Sequence, residues 1–105
     1  MRETISFRWI KNGELGGREV SRVEMLSKFQ ELVKDYPDNN EIAIKMTEII
    51  PKVTQIKINF DLNKSQDVPC IAYKVDNEVV GILKILRHHK IVWGILNKYC
   101  QEEEY

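Results

Sequence analysis

The sequence is poor in the residues that most often carry catalysis or hold a metal ion. It contains two histidines and two cysteines. A zinc site takes about four such ligands, so His88, His89, Cys70 and Cys100 would all have to converge. Two isolated thiols also predict a reducing compartment rather than a disulfide framework. We therefore expect no metal site and no catalytic thiol.

Glycine motifs for phosphate binding and long apolar runs are missing as well. The glycines at positions 13, 16 and 17 match neither the GKS/T phosphate loop nor GxGxxG. The longest apolar run, 91–96, is far shorter than the ~20 residues of a membrane helix. Charged residues interrupt the first dozen positions, unlike a signal peptide. These features predict a cytoplasmic protein with no cofactor, no membrane association and no enzymatic activity.

Charge is balanced over the whole chain but not along it. Sixteen basic and sixteen acidic side chains give zero net charge, which excludes a strongly basic nucleic-acid protein. Residues 52–101 hold eight basic and four acidic side chains. The densest basic segment is 84–90, KILRHHK. Such a segment is typical of a solvated turn, and the alternative is a contact with phosphate or another anionic partner.

Length and composition predict one folded domain. The hydrophobic fraction is 43% in 105 residues, enough for a core without metal or disulfides. We expect a single compact domain over 1–105, with a frayed tail at 101–105.

The N-terminal patterns predict a strand and then a helix. Residues 4–11 alternate apolar and polar side chains, which is typical of a strand, and Asn12–Gly13 predicts a tight turn after it. Gly16–Gly17 disfavours a strand, so we expect an irregular connection there. Residues 21–36 carry an apolar stripe at helical spacing behind the capping box S-x-x-E, and Pro37 ends the helix.

Two segments in the second half of the chain fit either a helix or a strand. Residues 41–50 fit either a short helix or a strand, and we favour the helix. Residues 53–60 alternate as a strand, and 68–75 with 78–86 predict a hairpin around Asp76–Asn77. The second hairpin arm is apolar on both faces, which predicts a central strand. Residues 91–99 fit a strand or a closing helix, and we favour the strand.

These elements predict an α+β fold. A small, mainly antiparallel sheet of four to five strands would carry one long and one short α-helix on one face. Ile82 and Leu83 point to opposite sides of their strand, so large apolar groups would lie on both faces. Two helices are too few to cover both. A second copy of the chain or another protein is therefore expected to cover the remainder.

The element order and one hairpin carry a family resemblance. Strand, helix, helix and the hairpin 71–82, IAYKVDNEVVGI, resemble the first half of the GNAT acetyltransferases, and the hairpin alone is similar to strands of CBS domains. The resemblance covers residues 4–86 and implies a binder of acetyl-coenzyme A. The pyrophosphate loop of that family should lie in 87–105, where Gly94 is the one glycine. No family residue is therefore assigned a role.

Basic and aromatic side chains near the C-terminus are the predicted partner-binding residues. In an edge strand over 91–99 the aromatic rings would anchor a partner, and the alternative is that Trp93 closes the core. The predicted set comprises Arg87, His88, His89, Lys90, Trp93 and Tyr99.

The function that fits these features is a small protein-binding module, such as a regulator, adaptor or inhibitor. The first alternative is a nucleic-acid contact through 84–90. The second is a shortened acetyltransferase-like coenzyme binder.

Overall fold

The computed structural model describes residues 3–38, 41–60, 68–85 and 89–101. Five strands form one sheet in the order β2-β1-β3-β4-β5, and every neighbouring pair is antiparallel except β1–β3. Three helices cover one face, so the predicted α+β class is confirmed. The elements are β1 (Thr4–Lys11), β2 (Glu14–Ser21), α1 (Arg22–Asp35), α2 (Glu41–Ile49), β3 (Gln55–Asn59), β4 (Cys70–Val75), β5 (Glu78–Lys84) and α3 (Lys90–Tyr99).

Helix α1 matches its prediction to within one residue at each end. The Ser21 hydroxyl accepts a hydrogen bond from the Glu24 backbone N–H at 3.2 Å, as a capping box requires. Met25, Phe29 and Leu32 are buried at helical spacing. The helical interpretation of 41–50 is also confirmed, because the buried side chains of α2 follow the same spacing.

Two tight turns form the hairpins of the sheet. Asn12 and Gly13 join β1 to β2, with φ values of 53° and 76°. Asp76 and Asn77 join β4 to β5, with φ values of 52° and 69°. Two central residues with positive φ match the twist of antiparallel strands, and Asn, Asp and Gly tolerate this conformation best. Both turns were predicted from sequence.

The predicted irregular connection before α1 is wrong, because residues 14–21 form β2. Each of its two adjacent glycines lies under a large side chain of β1. A Cβ on Gly16 would overlap the Trp9 indole, and a Cβ on Gly17 would overlap the Arg8 side chain. Neighbouring side chains therefore pack over the glycines, and this tertiary contact overrides their low strand propensity.

The predicted strand over 91–99 is also wrong, because these residues belong to α3. Val92, Leu96 and Tyr99 are buried at positions i, i+4 and i+7. Gly94 is exposed, and no heavy atom lies within 4 Å of the place where its Cβ would be. Burial of one apolar side of the helix outweighs the propensity cost of this glycine. In the described part of the chain, no helix is long and apolar enough to span a membrane.

Strand β5 lies at the edge of the sheet, which corrects its prediction as a central strand. Val79, Val80 and Ile82 are exposed rather than covered by a second layer. Apolar side chains on both faces of a strand indicate burial on both faces only when something packs there. Among the described residues, β4 is the one strand that pairs with β5.

The core lies between the three helices and one face of the sheet. From the sheet, this covered face contributes Ile5, Phe7, Trp9, Ile56, Ile58 and Ile71. From the helices, it receives the buried side chains of α1, α2 and α3. No described helix packs against the other face, which is termed the open face.

Candidate functional site

The predicted basic segment is described only in part. Arg87 and His88 lie outside the described residues. His89 occupies the N-cap position of α3, and its side chain makes no capping hydrogen bond. Lys90 begins the helix and is exposed. Of the charged residues in this segment, the structure therefore establishes exposure for Lys84 and Lys90.

The two predicted aromatic anchors belong largely to the core. Tyr99 is 5% exposed, and its ring centroid lies 6.0 Å from that of Phe7. Trp93 is half-buried and packs on Phe60 with a centroid separation of 4.6 Å. The expectation that both rings anchor a partner depended on an edge strand, which the helix α3 replaces. Part of Trp93 remains accessible, whereas Tyr99 is covered.

The open face brings together cationic side chains from four strands. Along β1 to β4 its side chains alternate with those of the covered face, and in β5 a bulge at Val80 interrupts this alternation. No ion pair joins two of its charged groups within the described chain, although Thr4 donates a hydrogen bond to Glu19 there. The charged residues of the open face are Arg8, Glu19, Lys57, Lys74 and Lys84.

The strand register aligns these cations with small and apolar groups. Arg8 of β1 lies opposite Lys57 of β3, and Lys57 lies opposite Ala72 of β4. Ala72 lies opposite Ile82 of β5. The Arg8 side chain extends over Gly17 of β2, whereas Lys57 lies on the other side of β1.

Exposed aliphatic side chains flank the cations at the β5 edge. Val79 is 57% exposed and Ile82 is 64% exposed. They lie beside Lys74 and Lys84 on the open face. Accessible aliphatic groups therefore lie beside cationic side chains at this edge of the open face.

A cleft lies next to Arg22, at the start of α1. This cleft has a volume of about 610 Å³. The Arg22 side chain is 7% exposed, and its Nη1 donates to the carbonyls of Ile50 at 2.5 Å and Val53 at 2.6 Å. The guanidinium therefore fixes the connection between α2 and β3. The cleft is lined by Arg22, Pro51, Lys52, Thr54, Val75, Asp76 and Asn77.

Sequence reasoning missed Arg22, although a signal was available. Arg22 precedes Met25 by three residues and Phe29 by seven, so it lies on the buried side of α1. A charged residue within an apolar stripe indicates a buried cation with dedicated acceptors. The identity of those acceptors depends on tertiary structure.

Burial favours the neutral forms of Cys100 and Tyr99. Burial raises the pKa of the Cys100 thiol to about 12, and burial likewise raises the pKa of Tyr99 to about 12. The thiolate is the reactive form of cysteine, so Cys100 is a poor nucleophile. Cys70 and Cys100 are both free thiols.

The described residues hold no group of three or more His, Cys, Asp or Glu side chains that could bind a metal ion. No protein-family model, no curated protein and no solved structure matches the chain.

Proposed function

We propose that this protein is a non-enzymatic binding module, and that the open face of its sheet binds an acidic surface of another protein. The observation that carries the proposal is the juxtaposition of Arg8 and Lys57 in register on that face, with Lys74 and Lys84 on the strands beyond them. Regulators, adaptors and inhibitors all work through such a contact, without a chemical step of their own.

The charge on the open face supports an acidic partner. In the described strands, this face carries four cationic side chains and one carboxylate, that of Glu19. Opposite charges speed the encounter of two proteins and discriminate against wrong partners.

The apolar groups on the same face favour a protein over a nucleic acid. Val79 and Ile82 gain free energy when aliphatic or aromatic surface covers them, and a phosphate backbone offers none. Single-stranded nucleic acid is usually held by stacking on aromatic rings. In the described sheet, Phe7, Trp9 and Tyr73 lie on the covered face.

The test compares two charge-matched double variants in affinity capture from the host lysate at about 0.1 M salt, where surface charges are only partly screened. Lys57→Glu with Lys74→Glu reverses two cations of the open face. Lys34→Glu with Lys45→Glu makes the same change in net charge on the exposed helical side. Bound material is measured by protein mass spectrometry and by absorbance at 260 nm.

We expect one stoichiometric protein that the wild type and the helical variant retain and the open-face variant loses. The captured protein is then purified and its affinity measured directly, with Ile82→Ser as a further variant that weakens binding without a change of charge. Nucleic acid in place of protein would overturn the proposal, and so would equal capture by both double variants. Circular dichroism of each variant confirms that the fold is retained.

A further inference from the structure

The charges of this chain are segregated between the two sides of the sheet. The open face carries four cationic side chains and one carboxylate. In α1, α2 and the described part of their connection, six acidic and three basic side chains are accessible. The acidic ones are Glu24, Glu31, Asp35, Asp38, Glu41 and Glu48, and the basic ones are Lys28, Lys34 and Lys45. An excess of three positive charges on one side of the sheet thus opposes an excess of three negative charges on the other.

Four of the six carboxylates lie near the place where α1 ends and α2 begins. Glu31 and Asp35 are about one helical turn apart on α1. Asp38 follows α1, and Glu41 begins α2. No ion pair of the described chain involves any of the four. Together with the exposed apolar groups between and beside them, these four residues are termed the acidic corner.

Apolar side chains accompany the charges on both surfaces. At the acidic corner, Tyr36 is 50% exposed and Ile44 is 39% exposed. On the open face, Val79 and Ile82 lie beside the cations. Burial of apolar groups contributes free energy to a contact between proteins, whereas opposite charges fix its orientation. The acidic corner and the open face therefore match each other in both respects.

The two surfaces cannot meet within one chain. Helices α1 and α2 pack their buried side chains on the covered face, so the sheet separates the acidic corner from the open face. A contact between the two surfaces must join two copies, and each copy then contributes a different patch. Such a heterologous contact leaves one surface free at each end, so further copies can be added unless a ring closes.

Neither net charge nor size opposes such a contact. The sixteen basic and sixteen acidic side chains cancel, so the long-range repulsion that keeps many proteins apart is absent. The molecule measures 34 × 34 × 31 Å. A side of these dimensions is large enough for the ~800 Å² that each partner buries in a standard interface.

From this segregation, we infer that copies of the protein associate head to tail, with the acidic corner of one copy on the open face of the next. The inference extends the proposed function, because it takes the open face as the binding surface. A second copy and an acidic partner would compete for that face. Self-association would therefore lower the apparent affinity for the partner as the concentration of the protein rises.

The experiment is sedimentation equilibrium of the pure full chain from about 10 µM to about 1 mM, at about 0.02 M and about 0.5 M salt. At low salt we expect the average mass to rise past that of a dimer, because a heterologous contact does not stop at two copies. At high salt we expect a monomer, since most of the attraction is then screened. A monomer at every concentration at low salt would overturn the inference. Since no partner is present, that result would leave the open face to another protein and the proposed function intact.

Two double variants with equal net charge test whether the contact uses the open face. Lys57→Glu with Lys74→Glu reverses two of its cations. Lys52→Glu with Lys90→Glu makes the same change at exposed positions outside both surfaces and is the control. The open-face variant should have a dissociation constant about tenfold higher than that of the control. Equal constants would overturn the inference, and so would association of the wild type that is indifferent to salt.

A restoration measurement tests the pairing of the two surfaces. Glu31→Lys with Asp35→Lys, added to the open-face variant, exchanges the signs of the two surfaces and returns the net charge to zero. This chain should associate like the wild type. Glu3→Lys with Glu78→Lys, added instead, also returns the net charge to zero but leaves both surfaces acidic, and this chain should stay monomeric. Association by both chains, or by neither, would overturn the inference. Circular dichroism of each variant verifies its fold.

Discussion

The phenol ring of Tyr73 in β4 lies across Gly81 in β5, in the space that a side chain at position 81 would take. The two residues are direct cross-strand partners, and a Cβ on Gly81 would overlap the Tyr73 hydroxyl and ring. The same arrangement joins Trp9 to Gly16 at the other edge of the sheet. At each edge of the sheet, a large aromatic side chain thus packs over a glycine of the edge strand on the covered face.

Gly81→Ala should destabilise the protein by about 1–3 kcal/mol, the usual range for overpacking. The added methyl group displaces the Tyr73 ring from its position. Urea unfolding gives the free energy of unfolding for the single variants and for a double-mutant cycle with Tyr73→Ala. In the Tyr73→Ala background the same change should cost little. An equal loss in both backgrounds would contradict the proposed contact.

Gly94→Ala should have the opposite sign and raise stability by about 0.5–1 kcal/mol. Gly94 lies inside α3 without a positive φ, and its Cβ would enter open space. Alanine therefore adds helix propensity and reduces the conformational entropy of the unfolded chain. Thermal and urea unfolding both measure the gain. A loss of stability would show that the open side of α3 is in contact with something that alanine disturbs.

Arg22→Ala should cost about 2–3 kcal/mol, because it removes charged hydrogen bonds and leaves buried carbonyls without donors. The carbonyls are those of Ile50 and Val53. Lys34→Ala, at an exposed position on the same helix, is the control and should change stability by no more than about 0.5 kcal/mol. Similar values for the two variants would show that the guanidinium does not support the α2–β3 connection.

Tyr99→Phe should leave stability unchanged or raise it slightly. The Tyr99 hydroxyl is buried and has no hydrogen-bond partner among the described residues, whereas its ring packs on Phe7. Loss of an unsatisfied polar group removes a desolvation cost and keeps the packing. Tyr99→Ala, which removes the ring, should cost about 3–5 kcal/mol. A loss above about 1 kcal/mol for the phenylalanine variant would mean that the hydroxyl is bonded.

Stability should fall as pH rises from about 9 towards 12. Burial raises the folded-state pKa of Cys100 from 9.0 to about 12. In this window the unfolded chain releases the thiol proton and the folded chain keeps it, so deprotonation favours unfolding. Urea midpoints at pH 7, 9 and 10 measure the effect. Cys100→Ala should fall less steeply than the wild type, and an identical fall would contradict the role of this thiol.

Local signals predicted α1 and the two turns well. The helix begins where Ser21 can cap it and ends before Pro37, and both effects operate over a few residues. The turn pairs Asn12–Gly13 and Asp76–Asn77 tolerate positive φ by their own chemistry. Such features do not depend on what packs around them.

The candidate site could be predicted only in part. The alternation in β1 placed Arg8 opposite in direction to Phe7, so an outward-facing cation was visible in the sequence. Its register with Lys57 was not visible, because Arg8 and Lys57 are 49 positions apart in the sequence and β1 pairs with β3 only in the folded chain. Tyr99 was expected to be accessible, and the helical form of α3 turned it into the core.

The sequence by itself determined the fold class, the caps and turns, and which side of β1 faces the core. These depend on periodicity and on backbone preferences within a few residues. Tertiary structure decided that β2 and α3 form despite their glycines, because burial of Trp9, Val92 and Leu96 outweighs local propensity. It also placed β5 at an edge and aligned the cations on one face, since strand order is a property of long-range pairing.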